Sequence, residues 1–185
     1  MQRTSRIEDY ALIGDCETAA LVSRSGSIDW LCWPRFDSGA CCAALLGGPE
    51  NGHWVVAPVG ATGVKRHYQR DTLILETEYT TQDGTAALID FMPMRVLDSH
   101  VIRLVVGQNG RVTMRTELRC AAGAACAGAF MRKCVGAVSA AHAVLSCVPT
   151  ARRTWMRVCC CYRCSDSCGR TIHAYAARSR LSRVG

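Results

Sequence analysis

Between positions 111 and 118 the chain alternates without a break: Val112, Met114, Thr116 and Leu118 on one side, Arg111, Thr113, Arg115 and Glu117 on the other. A period of two is the spacing of a half-buried β-strand, because successive side chains of a strand point to opposite faces of its sheet. The same pattern recurs between turn signals through much of the first two thirds of the chain. Thr72 to Thr80 alternates more loosely and leads through Gln82-Asp83-Gly84 into Thr85 to Met92, which predicts a hairpin with Asp-Gly supplying the positive φ. Ser99 to Val106 and Arg111 to Leu118 flank Gln108-Asn109-Gly110, where Asn-Gly is a strong hairpin signal. Ala19 to Val22 and Ser27 to Leu31 flank Arg24-Ser25-Gly26 in the same way, and His53 to Ala57 reads as a further strand. One short helix is expected at Ala40 to Leu46, with Asp37 or Ser38 as N-cap and Gly47 just past its end. Many short strands with little helix predict an all-β domain, a sandwich or a barrel.

Composition divides the chain near Arg119. Residues 1 to 119 carry 12 Lys and Arg against 14 Asp and Glu, net −2, whereas residues 120 to 185 carry 10 against 1, net +9, which together make the formal +7 of the whole. Nine of the 13 cysteines also follow position 119. The chain is therefore read as two parts, a β domain over 1–119 and a Cys/Arg/Ala-rich tail over 120–185. No stretch is apolar and long enough for a transmembrane helix, since even Cys134 to Val148 is short and contains His142. The start lacks the apolar core of a secretory signal, so the expected location is the cytoplasm, and no membrane partner is expected.

The run Arg6-Ile-Glu-Asp-Tyr-Ala-Leu-Ile-Gly-Asp-Cys-Glu-Thr-Ala-Ala-Leu-Val22, followed by Gly26-Ser-Ile-Asp-Trp-Leu-Cys-Trp-Pro-Arg-Phe-Asp-Ser38, resembles the amino terminus of bacterial glycoside hydrolase family 15, the trehalase-like and glucoamylase-like enzymes. Ala43-Ala-Leu-Leu-Gly-Gly48, Tyr68-x-x-Asp-Thr-Leu-Ile-Leu-Glu-Thr77 and Ile89-Asp-Phe-Met-Pro93 continue the resemblance in order, through about Arg119. The resemblance implies an antiparallel super-β-sandwich that precedes and packs on a helical barrel. In the family that barrel carries the two carboxyl groups which hydrolyse α-glucosidic bonds with inversion, one protonating the leaving oxygen and the other activating water. No such barrel is expected of these residues, so the sandwich is expected to be incomplete and the chain to have no catalytic residues and no cofactor. Its expected partners are the barrel and an α-glucoside. Two positions depart from the family pattern: Gly39 stands where Pro is usual and Cys42 where an aromatic is usual.

Within the matching region, the Asp29 to Asp37 run has the composition of a carbohydrate-facing loop. Aromatic rings stack on sugars, and carboxylates and guanidinium groups hydrogen-bond hydroxyls, so Trp30, Trp33, Arg35 and Asp37 are the candidate substrate-pocket residues. The other reading makes Trp30 and Phe36 core and Asp37 a helix cap. Glu76 and Glu78 lie two apart and share one face of a strand, an arrangement expected of a solvated sheet surface more than of an acid/base pair. His53, His67 and His100 have no ligand spacing.

The tail loses alternation, acidic residues and family likeness together, with Asp166 its one acid. Ala, Arg, Gly, Cys and Ser dominate it, as in a GC-rich gene read out of frame, and little structure is expected of it. A chemical reading competes: Cys161, Cys164, Cys168 and His173 have spacing that suits a tetrahedral zinc ion, with Arg152, Arg153, Arg157, Arg163 and Arg170 nearby for a phosphate backbone. Adjacent Cys159, Cys160 and Cys161 cannot all reach one ion, and neither zinc nor nucleic acid is the leading expectation.

Overall fold

The computed structural model describes residues 6–95 and 99–120, together with the backbone of two strands at 141–146 and 155–161. Among the described residues eleven strands form one antiparallel sheet: β1 Tyr10–Gly14, β2 Ala19–Ser23, β3 Ser27–Cys32, β4 Ala40–Cys42, β5 His53–Pro58, β6 Gly63–Tyr68, β7 Leu75–Thr80, β8 Gly84–Phe91, β9 His100–Arg119, β10 Ala141–Ser146 and β11 Trp155–Cys161. The order along the sheet is β1-β2-β3-β5-β9-β8-β7-β6, with β4 added to β3 and with β10 and β11 added to β9. The sheet curls over so that its two halves face each other. Ile13, Val22, Ile28 and Val56 from one half and Leu75, Leu88 and Val105 from the other join a single buried cluster. Both halves are thus amphipathic in the sense that the alternation demands.

The 20-residue β9 joins the halves. Ile102 to Gly110 pairs with β8, and Met114 to Arg119 pairs with β5. The hairpin expected at Asn109-Gly110 is therefore not made. Gly110 does take the positive φ of 64° that the dipeptide favours, while Gly84, expected to supply one, does not. The Arg111 N–H donates to the Asp83 carbonyl at 2.9 Å, and a register shift between Thr85 and Ala86 absorbs the kink, so the strand crosses from one layer to the other instead of reversing. A glycine with positive φ serves a bulge as readily as a turn. Here β5 and β8 compete for the two arms that a hairpin would have paired with each other.

The helix expected at Ala40 to Leu46 is also absent. Ala40 and Cys42 pair with Cys32 and Leu31 of β3, and only a 3₁₀ turn at Ala44–Leu46 follows, closed by the Gly47 N–H on Ala44 O. Seven residues are too few for a stable isolated helix, and the open end of β3 offers ladder bonds instead. The remaining strand expectations hold: β2 and β3 flank a turn at Gly26 with φ of 80°, and β5 covers His53 to Ala57. Beyond residue 120 the described backbone is that of β10 and β11, which add antiparallel strands to β9. They fill the edges that β5 and β8 leave free, which satisfies backbone groups otherwise exposed.

Candidate functional site

The connection from β3 to β4 is short and tightly bonded. Trp33 N–H donates to Gly39 O at 3.4 Å, Ser38 N–H to Arg35 O at 3.1 Å, and Phe36 N–H to Glu17 O at 3.0 Å, so the loop is pinned both to itself and to the β1–β2 turn. The bond between Trp33 and Pro34 is cis. This path sends Trp33 inward, where it is 1% exposed, and turns Arg35, Phe36 and Asp37 outward.

A charged and largely buried platform lies beneath the loop. Asp15, with no side-chain exposure, uses Oδ1 to accept from the backbone N–H groups of Glu17 and Thr18 at 3.1 and 2.8 Å, an Asx turn that shapes the β1–β2 connection. Its Oδ2 lies 2.9 Å from Ser99 Oγ and 3.5 Å from Arg95 Nε. Arg95 Nη1 donates to Glu17 Oε2 at 2.6 Å and Nη2 to the carbonyl of Pro34, to which the Ser99 hydroxyl is also close at 3.3 Å. Residues from the β1–β2 turn, the β3–β4 loop and the β8–β9 connection are thereby clamped together, and a charge-assisted clamp of this kind rigidifies the loop above it.

Above the clamp, Cys16, Glu17, Arg35, Phe36 and Asp37 line an open cleft of about 390 Å³. Arg35 Nε faces Asp37 Oδ1 at 3.2 Å, and both side chains are exposed. Phe36 is 62% exposed, so neither the core role expected of it nor the capping role expected of Asp37 is realised. The cleft offers one guanidinium, two carboxylates and one phenyl face, a set suited to hydroxyl groups and an apolar ring surface.

The four residues singled out from sequence do not sit together. Arg35 and Asp37 share the loop tip. Trp33 is covered by the domain's own core, and Trp30 lies half-buried on the outer face of β3, in register with Leu21 of β2 and, beyond it, Leu12 of β1. Sequence reading missed Asp15, Arg95 and Ser99. Asp15 could have been found from the Gly-Asp-Cys-Glu turn, but Arg95 and Ser99 join it only through tertiary contact.

Glu76 and Glu78 stand opposite His67 and Lys65 across the β6–β7 pair. Gln69 Nε2 donates to Glu76 Oε2 at 3.1 Å, and His67 Nε2 is 4.0 Å from the same oxygen, an ordinary polar sheet face. His53 instead ties down the 3₁₀ turn at Pro49–Asn51, with Nδ1 at 3.0 Å from Pro49 O. Of the tail ligand set, Cys161 ends β11, and Cys164, Cys168 and His173 lie outside the described residues. Among the described residues no three His, Cys, Asp or Glu side chains gather as a metal site, and no helix is long and apolar enough to cross a membrane.

Residues 2–122 match the family model described as trehalase-like, N-terminal. Over 89 residues the chain is 39% identical to a trehalase of Mycolicibacterium smegmatis, covering 48% of this chain and 13% of that protein. It is 37% identical over 86 residues to trehalase 2 of Sulfolobus acidocaldarius, covering 46% and 14%, and 34% identical over 91 residues to a trehalase of Thermoplasma volcanium, covering 48% and 15%. The chain thus aligns with less than a sixth of the length of each of these relatives. No solved structure matches it.

Proposed function

The chain belongs to the trehalase-like N-terminal family, and from that premise we propose that it is the non-catalytic β domain of a trehalase- or glucoamylase-type glycoside hydrolase, acting as a scaffold beside a catalytic barrel. Its own contribution is the loop tip at Arg35, Phe36 and Asp37, which forms part of the rim that an α-glucoside passes. The observation that carries this reading is the clamp: Arg95 bridges Glu17 and the Pro34 carbonyl above the buried Asp15, so a polar, exposed loop is held still from below. Rigid support under an exposed polar loop is what a positioning surface requires.

In this reading the chain hydrolyses no glucoside alone. An inverting hydrolase needs an acid and a base several ångströms apart on either side of the bond, whereas Glu76 and Glu78 project side by side from one strand face. Assay of the purified chain against trehalose and maltose is expected to stay at the buffer blank. Turnover lost in Glu76→Gln and Glu78→Gln variants would mean that this pair is catalytic after all. The rim role is tested by placing residues 1–119 in the corresponding segment of the Mycolicibacterium smegmatis trehalase. The chimera is expected to hydrolyse trehalose, and Arg35→Ala with Asp37→Ala to raise KM more than it lowers kcat. Unchanged kinetics would remove the loop from the substrate path.

In this reading the protein works in the cytoplasm, in keeping with the unbridged thiols of Cys16, Cys41 and Cys42. The tail composition fits a shifted reading frame beyond codon 119. Coding DNA in which no other frame restores trehalase-like sequence would refute that origin.

A further inference from the structure

The two ends of the curled sheet, β1 and β6, are not joined by a backbone ladder, yet one side chain joins them. The Tyr68 hydroxyl at the end of β6 accepts from the Leu12 N–H at 2.9 Å and donates to the Leu12 carbonyl at 2.9 Å. Leu12 lies opposite Leu21 in the β1–β2 register, and its own N–H and C=O point away from β2, as they do in a non-hydrogen-bonded antiparallel pair. These are the groups through which an edge strand accepts another strand. The neighbouring outward donor, Tyr10 N–H, is occupied by Ile7 O at the end of the 3₁₀ turn Ile7–Asp9. Arg66 adds bonds from β6 to the carbonyls of Asp9 and Val22 at 2.9 and 3.2 Å. The opposite terminal strand carries charge, with Lys65, Arg66 and His67 in succession, and charge on an edge deters strand addition.

We propose that the Tyr68 hydroxyl stands in for a missing strand, and that by closing β1 it prevents the domain from pairing with a second copy of itself, β1 to β1, about a two-fold axis through Leu12. The second copy is the fitting occupant because β1 is complementary to itself in that register. Leu12 of one copy meets Leu12 of the other and exchanges both backbone bonds with it, while Tyr10 falls opposite Gly14 of the second copy. Leu12 is 43% exposed with its side chain on the outer face, so the pairing also covers an apolar side chain at its centre. In a five-residue strand with a leucine at its middle and no charge, loss of the hydroxyl opens the central pair of edge groups, the N–H and C=O of Leu12.

Two measurements on the full chain test the proposal. Amide hydrogen exchange of the wild-type protein is expected to show protection at Leu12 comparable to that at Ala11 and Ile13, whose N–H groups face β2. Exchange at Leu12 as fast as in an unstructured loop would overturn the lock without any variant being made. Tyr68→Phe keeps the ring and removes both bonds. Its weight-average mass in sedimentation velocity is expected to rise towards twice that of the wild type as concentration increases, with Leu12 protection lost at low concentration. Adding Leu12→Lys places like charges opposite each other across the two-fold axis, and is expected to return the mass to the wild-type value with a native circular dichroism spectrum. A Tyr68→Phe protein that sediments as the wild type does, or that self-associates equally with Leu12→Lys added, would overturn the proposal.

Discussion

Arg103 and Asp90 face each other as a two-pronged ion pair in which neither side chain has any exposure: Nε donates to Oδ1 at 2.8 Å and Nη2 to Oδ2 at 3.2 Å. The same guanidinium donates to Trp54 O at 2.6 Å and Gly26 O at 2.8 Å, and lies 5.3 Å from the Trp54 ring centroid. Arg103 sits on the first arm of β9, and its bonds reach β5 and the β2–β3 turn in the other half of the sheet. The pair is therefore a rivet through the core between the two halves. Asp90→Ala leaves this guanidinium buried with part of its charge unmatched and is expected to lose about 3–5 kcal/mol. Replacing both partners with Met and Leu is not expected to be neutral, unlike many such swaps, because the carbonyls of Trp54 and Gly26 each lose a hydrogen bond from a charged donor, roughly 1.5–3 kcal/mol apiece, although Gly26 O keeps the Val56 N–H at 3.0 Å. Urea denaturation of the wild type, both single variants and the double variant measures each term.

The two aromatic residues of the β3–β4 loop are expected to differ sharply. Trp33 is 1% exposed and Phe36 62% exposed. Trp33→Ala should cost about 3–5 kcal/mol, whereas Phe36→Ala should stay within about 0.5 kcal/mol. Thermal melts of the two variants decide this, and equal losses would mean that the loop packs differently.

At the β2–β3 turn, Gly26 combines a φ of 80° with backbone packing so close that a Cβ would collide with the Val56 carbonyl and approach the Tyr79 hydroxyl to 2.7 Å. Gly60 has a similar φ of 73° and nothing within 4 Å. Gly60→Ala should therefore cost only the left-handed backbone, roughly 1–2 kcal/mol. Gly26→Ala should cost a further ~1–3 kcal/mol for overpacking. Matching denaturation midpoints in the two variants would contradict the crowding at Gly26.

Alkaline pH is expected to weaken the fold. A hydrogen bond with the neighbouring Cys42 thiol, and then burial, push the Cys41 thiol well above its ordinary 9.0, and burial pushes Tyr79 above its ordinary 10.0. Both groups stay neutral in the folded protein at pH values where the unfolded chain already ionises them. The unfolded state then binds fewer protons, and stability falls as pH rises. The contribution is intact below the unfolded values and is lost progressively from about pH 9 upward. Tyr79→Phe should flatten the part of this decline above pH 10.0, the ordinary tyrosine value, in urea titrations at stepped pH. In the same range a thiol reagent should label the exposed Cys16 rapidly and Cys41 only on unfolding.

Most of the strands were legible in the sequence because their information is local. The alternation of residues 111–118 emerges as Val112, Met114 and Thr116 buried with Arg111 and Arg115 exposed, and a turn such as Ser25-Gly26 carries its own φ requirement. The fate of Asn109-Gly110 was not legible. A glycine at positive φ fits a hairpin or a bulge, and only the presence of β5 and β8, each supplying a full register for one arm of β9, selects the bulge. The same holds at Ala40 to Leu46, where an open edge on β3 outweighs a marginal helix.

For the candidate site the division falls between residue type and address. The Trp30 to Asp37 run marks a polar, aromatic loop, but sequence alone does not say which ring turns inward, because that depends on what lies beneath. Trp33 goes to the core and Arg35 with Asp37 to solvent, since the clamp of Asp15, Arg95 and Ser99 holds the Pro34 carbonyl from below. Asp15 and Ser99 are 84 residues apart in the chain. Family membership and the all-β class were thus written in short-range pattern and in the order of motifs. The rivet at Arg103, the clamp at Arg95 and the closure at Tyr68 were decided by tertiary structure, because a hydrogen bond between distant segments leaves no periodicity in either of them.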